Sequence, residues 1–233
     1  MSFTTIIISL GGSLICPEFQ PSLNFLLDFR EVLRAWLREM PDRRAVIISG
    51  GGGPARLFQQ AARNLNPHTP NEQLDWIGIR ATWLNGELVR SLFAEDCKSP
   101  LVIDPSQPPP FEGRVMVAAG WKPGFSTDFD AVLLAEKFGA TTLLNLSNIS
   151  HVYTANPKED PTAHPIEEMS WDDFQRLVGT DWKPGSNLPF DPIATARAKA
   201  LNLEVIVAGP SLENLKSYLK GLPFVGTRIR PKT

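Results

Sequence analysis

The chain has 233 residues, 42% of them hydrophobic and 21% charged, with 23 lysines and arginines against 25 aspartates and glutamates. Charge of both signs spread along an apolar-rich chain excludes disorder. A net charge of −2 with no basic run leaves no electrostatic footprint for nucleic acid, so any phosphate-bearing partner has to be small and gripped locally.

Taken in chain order, short β-branched runs predict buried strands at residues 4–9, 45–49, 101–103, 115–118, 141–146 and 204–208. Between the first two lies a helix over 22–40, with Leu26, Phe29, Leu33, Trp36 or Leu37, and Met40 spaced three and four apart. Pro41 and Asp42 stop it. A long helix over 73–94 follows, with Leu74, Ile77, Leu84, Leu88 and Leu92 on one side. Further helices are predicted at 129–138 and 193–201. The proline-rich stretch 105–113 predicts a surface loop or hairpin, and 151–168, with three prolines, cannot be a regular helix. Strands alternating with helices predict an α/β fold, a mostly parallel central sheet covered on both faces, with ligands at the carboxyl ends of the strands.

Residues 1–9 are too short and too poor in positive charge for a secretory signal. No apolar stretch approaches the roughly 20 residues of a membrane span. Cys16 and Cys97, far apart and without metal-ligand neighbours, suit a reduced, cytoplasmic protein. His68, His151 and His164 are scattered among prolines or a turn, which suits surface positions and forms no zinc site. The tetrapeptide Trp-Lys-Pro-Gly occurs at 121–124 and again at 182–185, as two similar turns or by coincidence.

Three constellations carry chemistry. Gly11, Gly12 and Ser13 directly follow the first strand; two glycines allow a sharp turn with bare amides, and the serine adds a hydroxyl. Gly50, Gly51, Gly52 and Gly53 follow the second strand, and Pro54 suits the first turn of the helix they open. Arg56 lies one turn in, where it can grip a phosphate. The Gly-Lys-Ser/Thr ending of a P-loop is absent, and residues 64–71 are polar rather than a second strand, so neither a Walker site nor a dinucleotide site fits. The third constellation is residues 120–130, where Ser126 or Thr127 can cap a helix whose first turn holds Asp128.

In order, these motifs resemble the amino-acid-kinase superfamily, most of all the uridylate kinases of archaeal type, over essentially the whole chain. The carrying segments are residues 10–14, 50–56, 75–79, 126–128 with 131–136, and above all 152–161, Val-Tyr-Thr-Ala-Asn-Pro-Lys-Glu-Asp-Pro. The resemblance implies one carbamate-kinase-like domain over 1–233, a three-layer αβα sandwich, with an acceptor lobe at about 1–140 and an ATP lobe at about 141–233. It implies phosphoryl transfer from ATP, with Mg²⁺, to a nucleoside monophosphate, UMP above others. Gly11, Gly12 and Ser13 would face the transferring phosphates, with Asn148, Tyr153, Asn156, Pro157 and Lys158 on ATP. Gly51, Gly52 and Arg56 would hold the acceptor phosphate and Asp75 the ribose, while the backbone of Phe125, Ser126 and Thr127 reads the base. Asp128 and Asp191 would organise phosphate-binding groups or magnesium, and no protein-only metal site is expected. A homo-oligomer, hexameric by family precedent, is also implied.

Many family members carry a lysine where this chain has Ser9, so a cation beside the transferred phosphate is missing, and Lys122 or Lys158 would compensate. Ser150 and His151 replace an Asp-Gly pair in a turn where histidine tolerates positive φ less well. Asn156 replaces an aspartate. These departures carry an alternative reading, a catalytically weak relative that binds nucleotides or oxoanions for storage or regulation. A kinase of another small phosphate, acyl or isoprenyl, is a third.

Overall fold

The computed structural model describes residues 3–157, 159–179 and 189–232. Its spine is β1 (Thr4–Leu10), whose alternating side chains serve two layers: Ile6, Ile8 and Leu10 join one core cluster and Ile7 the other. After the short turn α1 (Gly12–Ile15), helix α2 (Leu23–Glu39) lays Leu26, Phe29, Leu33, Trp36 and Leu37 on the first of these cores. Each such side chain stabilises the fold by about 1.5–3 kcal/mol. Met40, expected on that face, is the extended residue after the helix and is 48% exposed.

The chain then returns as β2 (Arg43–Ser49), and the glycine run opens α3 (Gly52–Leu65), with Pro54 in its first turn. Helix α4 (Asn71–Leu92) follows without an intervening strand, as the polar residues there predict. Its buried face differs from the expected one. Leu84 is 65% exposed, while Thr82, Asn85 and Gly86 are buried with Leu74 and Ile79. This inner face meets the backbone around Gly50, which wants small and polar side chains, so an apolar count misassigned it.

Residues 101–103 make only a single bridge, Val102 to Ala118, because Pro100 and Pro105 on either side lack ladder donors. Next come β3 (Val115–Ala118), α5 (Thr127–Phe138) and β4 (Thr142–Leu146). The proline-rich segment that could not be helical holds a small hairpin, β5 (Val152–Tyr153) with β6 (Pro165–Ile166), and leads into β7 (Glu168–Ser170). Helices α6 (Trp171–Val178) and α7 (Pro192–Ala200), strand β8 (Glu204–Ala208), helix α8 (Leu212–Leu219) and strand β9 (Thr227–Arg230) complete the fold.

Among the described residues seven strands form one sheet in the order β3-β2-β1-β4-β8-β9-β7, parallel except where β8 meets β9. Helices α2 and α8 pack on one face, and α5, α6 and α7 on the other. The expected three-layer αβα sandwich around a mostly parallel sheet is the observed one. The chain leaves β1 toward β2 and β3, then crosses back to β4 on β1's other side. That reversal opens a crevice at the carboxyl ends of β1 and β4.

Candidate functional site

At that crevice the two glycine turns are locked together. The Gly11 amide donates to Leu146 O at 2.8 Å, and the Gly50 amide to Leu10 O at 2.9 Å. A methyl on Gly12 would lie 2.1 Å from the Gly52 nitrogen, and one on Gly53 would lie 1.5 Å from Glu18 O. Gly52 has φ +62, in the left-handed region. The glycines therefore serve contact between the two turns as much as openness to an anion. From α4, buried Asn85 donates to Gly50 O at 2.8 Å and to Gly51 O at 3.1 Å, holding the second turn in place. Arg56 is exposed and spans the turns, donating to the Ser13 hydroxyl at 3.3 Å and to Pro17 O at 2.7 Å. Gly11, Gly12, Ser13, Gly51, Gly52 and Arg56 thus come together from two distant stretches of sequence.

The N-terminus of α5 arrives at the same place. Ser126 accepts from the Phe129 amide at 3.2 Å and so, rather than Thr127, supplies the side-chain cap. Asp128, in the first turn, accepts from the Ser9 hydroxyl at 3.1 Å and from Asn145 at 3.4 Å. Asn145 also donates to Pro189 O at 3.0 Å, which ties in the segment before Asp191. Asp191 caps α7 through the Ala194 amide at 2.8 Å, and its other carboxyl oxygen is buried with no hydrogen-bond partner among the described residues. Burial pushes the Asp128 pKa up to about 7; the Ser9 hydrogen bond opposes the rise and the Asp191 charge adds to it. Asp130, fully buried, is pushed by its burial to about 8, against a hydrogen bond from the Trp121 amide. Asp128 and Asp130, behind the crevice, are thus both pushed toward neutrality.

One wall is the loop 120–126. It hangs from α4 and α5 by Gly120 N to Thr82 Oγ1 at 2.8 Å, Trp83 Nε1 to Gly120 O at 2.8 Å, Trp121 N to Asp130 at 3.1 Å and Gly124 N to Asp75 at 3.1 Å. Asp75 therefore has one oxygen engaged with this loop. The rings of Trp121, Phe125 and Phe129 follow one another at 5.4 and 4.8 Å.

The other wall follows β4. Asn148 is exposed in a turn where Ser147 accepts from the Ile149 amide. Ser150 lies 3.1 Å from His151 Nδ1 and 3.3 Å from the Tyr153 hydroxyl, so these side chains satisfy one another. Among the described residues Asn202 is the one non-glycine residue with positive φ, so His151 carries no such strain. His151 is half-buried, whereas His68 and His164 are exposed. The Asn156 carbonyl accepts from the Glu159 and Asp160 amides, and Pro157 is exposed. Lys158 and the second Trp-Lys-Pro-Gly lie outside the described residues.

Sequence reasoning missed Thr82, Asn85, Asn145 and Asp130, the side chains that hold the turns, the loop and Asp128. Their signal was a polar residue on the inner face of a helix or strand, visible only once that face is known. Among the described residues no group of three or more His, Cys, Asp or Glu side chains could hold a metal alone, and no helix is long and apolar enough to cross a membrane.

The family model described as the amino acid kinase family matches residues 4–209. The chain is 31% identical to a uridylate kinase of Thermoplasma volcanium over 98% of each sequence. It is 33% identical to one of Methanothrix thermoacetophila over 97% of this chain and 99% of the relative. The crystal structure of uridylate kinase from Archaeoglobus fulgidus superposes with a TM-score of 0.79 at 28% identity, covering 96% of this chain and 99% of that one. An aspartate kinase from Synechocystis, at 13% identity and a TM-score of 0.73, shares the fold alone over 40% of its own length.

Proposed function

This chain belongs to the amino acid kinase family, and from that premise we propose that it transfers a phosphoryl group from ATP to a nucleoside monophosphate, UMP above others. The observation that carries the reading is the convergence of the two glycine turns, Arg56 and the α5 N-terminus at one crevice, in a chain similar over its whole length to uridylate kinases. Transfer between two bound phosphates needs alignment and charge neutralisation rather than a nucleophilic side chain, and this crevice offers backbone amides, hydroxyls and a guanidinium.

In this reading Gly51, Gly52 and Arg56 hold the acceptor phosphate. Gly11, Gly12 and Ser13 face the donor phosphates, and the loop 120–126 with Asp75 borders the acceptor nucleoside. Asn148, Tyr153, Asn156 and Pro157 border ATP. The division into an acceptor lobe and an ATP lobe belongs to this proposal too. Mg²⁺, which shields phosphate charge, fits the unpartnered oxygen of Asp191 near Asp128; it would be held jointly with the phosphates. Asn145 and Ser9 then orient Asp128. A cytoplasmic, homo-oligomeric enzyme accompanies the reading.

One observation favours a second reading, binding without turnover. Ser150, His151 and Tyr153 are hydrogen-bonded to one another on the wall assigned to ATP, where the family pattern has an Asp-Gly pair. Purified protein with ATP and Mg²⁺ against a panel of monophosphates separates the two. Turnover of UMP supports transfer. Nucleotide-induced thermal stabilisation with no turnover supports binding alone, and turnover confined to a non-nucleotide phosphate overturns the acceptor assignment.

A further inference from the structure

Transferring phosphates bring several anionic oxygens to a crevice that already has the partly exposed carboxyl group of Asp128 at its base, with Asp191 and Asp130 buried behind it. The cations on its rim therefore decide whether the site tolerates that charge. The described segments leaving the carboxyl ends of β1, β2, β3, β4 and β8 are residues 11–22, 50–56, 119–127, 147–157 and 209–211, and the lysines and arginines on them are Arg56 and Lys122. Arg56 is already engaged with Ser13 and Pro17. Lys122 is exposed and forms no ion pair with any described residue. Its ammonium rests 3.7 Å from the centre of the Trp121 ring and 5.2 Å from that of Phe125.

That contact on half-buried rings holds a cation only loosely, and a charged phosphate oxygen outcompetes it. The backbone beneath is held firmly: the Trp121 amide is bonded to Asp130 and the Gly124 amide to Asp75, one on either side of Lys122. An exposed ammonium on a loop fixed at both flanks is suited to reach a ligand without reorganising the site.

Resting on the transfer reading above, we propose that Lys122 leaves the aromatic face and neutralises the phosphoryl group in transfer, acting as the catalytic cation of this enzyme. The test compares Lys122→Met, which keeps an unbranched chain on the rings without charge, with Lys122→Arg, which keeps charge. Lys137→Ala, an exposed lysine in the last turn of α5, is the control. With ATP, Mg²⁺ and UMP, kcat in Lys122→Met is expected to fall about 100-fold, the scale of one lost transition-state contact, with KM for UMP within about 3-fold. Calorimetric affinity for UDP is expected to fall about 10-fold in the same variant, and Lys122→Arg to stay within about 5-fold of wild type. With wild-type turnover present, an unchanged kcat in Lys122→Met would overturn the proposal. Absence of turnover in the wild type would overturn the transfer reading alone. The UDP measurement then decides Lys122: weaker binding in Lys122→Met sustains its phosphate contact, and equal binding removes it.

Discussion

Asp130 shows how a single side chain makes the fold sensitive to pH. An unfolded aspartate ionises near pH 4, whereas burial holds the Asp130 proton to about pH 8. Between those values the native state binds more protons than the unfolded chain, so stability is greatest below the window and declines as pH rises through it. Asp130→Asn, which cannot ionise and can still accept from the Trp121 amide, is expected to flatten that decline. Its Tm should exceed that of wild type by about 3 °C at pH 8.5 and differ little at pH 5; equally steep declines in both proteins would locate the effect elsewhere. The glycines give a second contrast. Gly53→Ala drives a methyl against Glu18 O and is expected to cost about 3 kcal/mol or more by urea unfolding. Gly139→Ala, at φ +63 with open space around it, should cost about 1 kcal/mol. Equal costs would mean that the turns are less tightly apposed than their geometry indicates.

At the scale of the element, α5 carries much of the candidate site on its first turn, and its start is set by one hydroxyl. Ser126→Ala removes that cap and is expected to destabilise the protein by about 1 kcal/mol in denaturant titration, whereas Ser106→Ala, in an exposed loop, should be close to neutral. Short amphipathic helices were the elements hardest to see in the sequence. Ser170 caps α6 through the Asp173 amide, and Ser211 caps α8 through the Asn214 amide, so their start signals were present. Eight residues, though, give too few repeats of the helical period to register. In α4 the failure was different: the period was legible, but the leucine-marked face included exposed Leu84.

The whole molecule leaves apolar surface on α3 and the segment before α2. Phe19 and Phe58 lie 6.1 Å apart, at 59% and 54% exposure, and Leu57 and Leu65 on the same helix as Phe58 are exposed too. Contact with further copies of the chain would cover such residues. Sedimentation velocity is expected to show an assembly in the wild type and a smaller species for Phe58→Asp. A monomeric wild type would remove the oligomer from the functional proposal.

What the sequence determined by itself is the alternating α/β order, the parallel core strands and the two glycine turns, because β-branched runs and glycine clusters act through local sterics and backbone freedom. The family-like motifs were legible for the same reason, each being short and contiguous. Only the tertiary structure decided that Gly12 must clear Gly52 and that Asn85 holds the second glycine turn. It also decided that Ser9, Asn145 and Asp128 share one hydrogen-bonded cluster and that Lys122 waits on an aromatic face. These contacts join residues far apart in the chain, and their energies arise from burial and close approach, quantities that exist only once the sheet has brought the strand ends together.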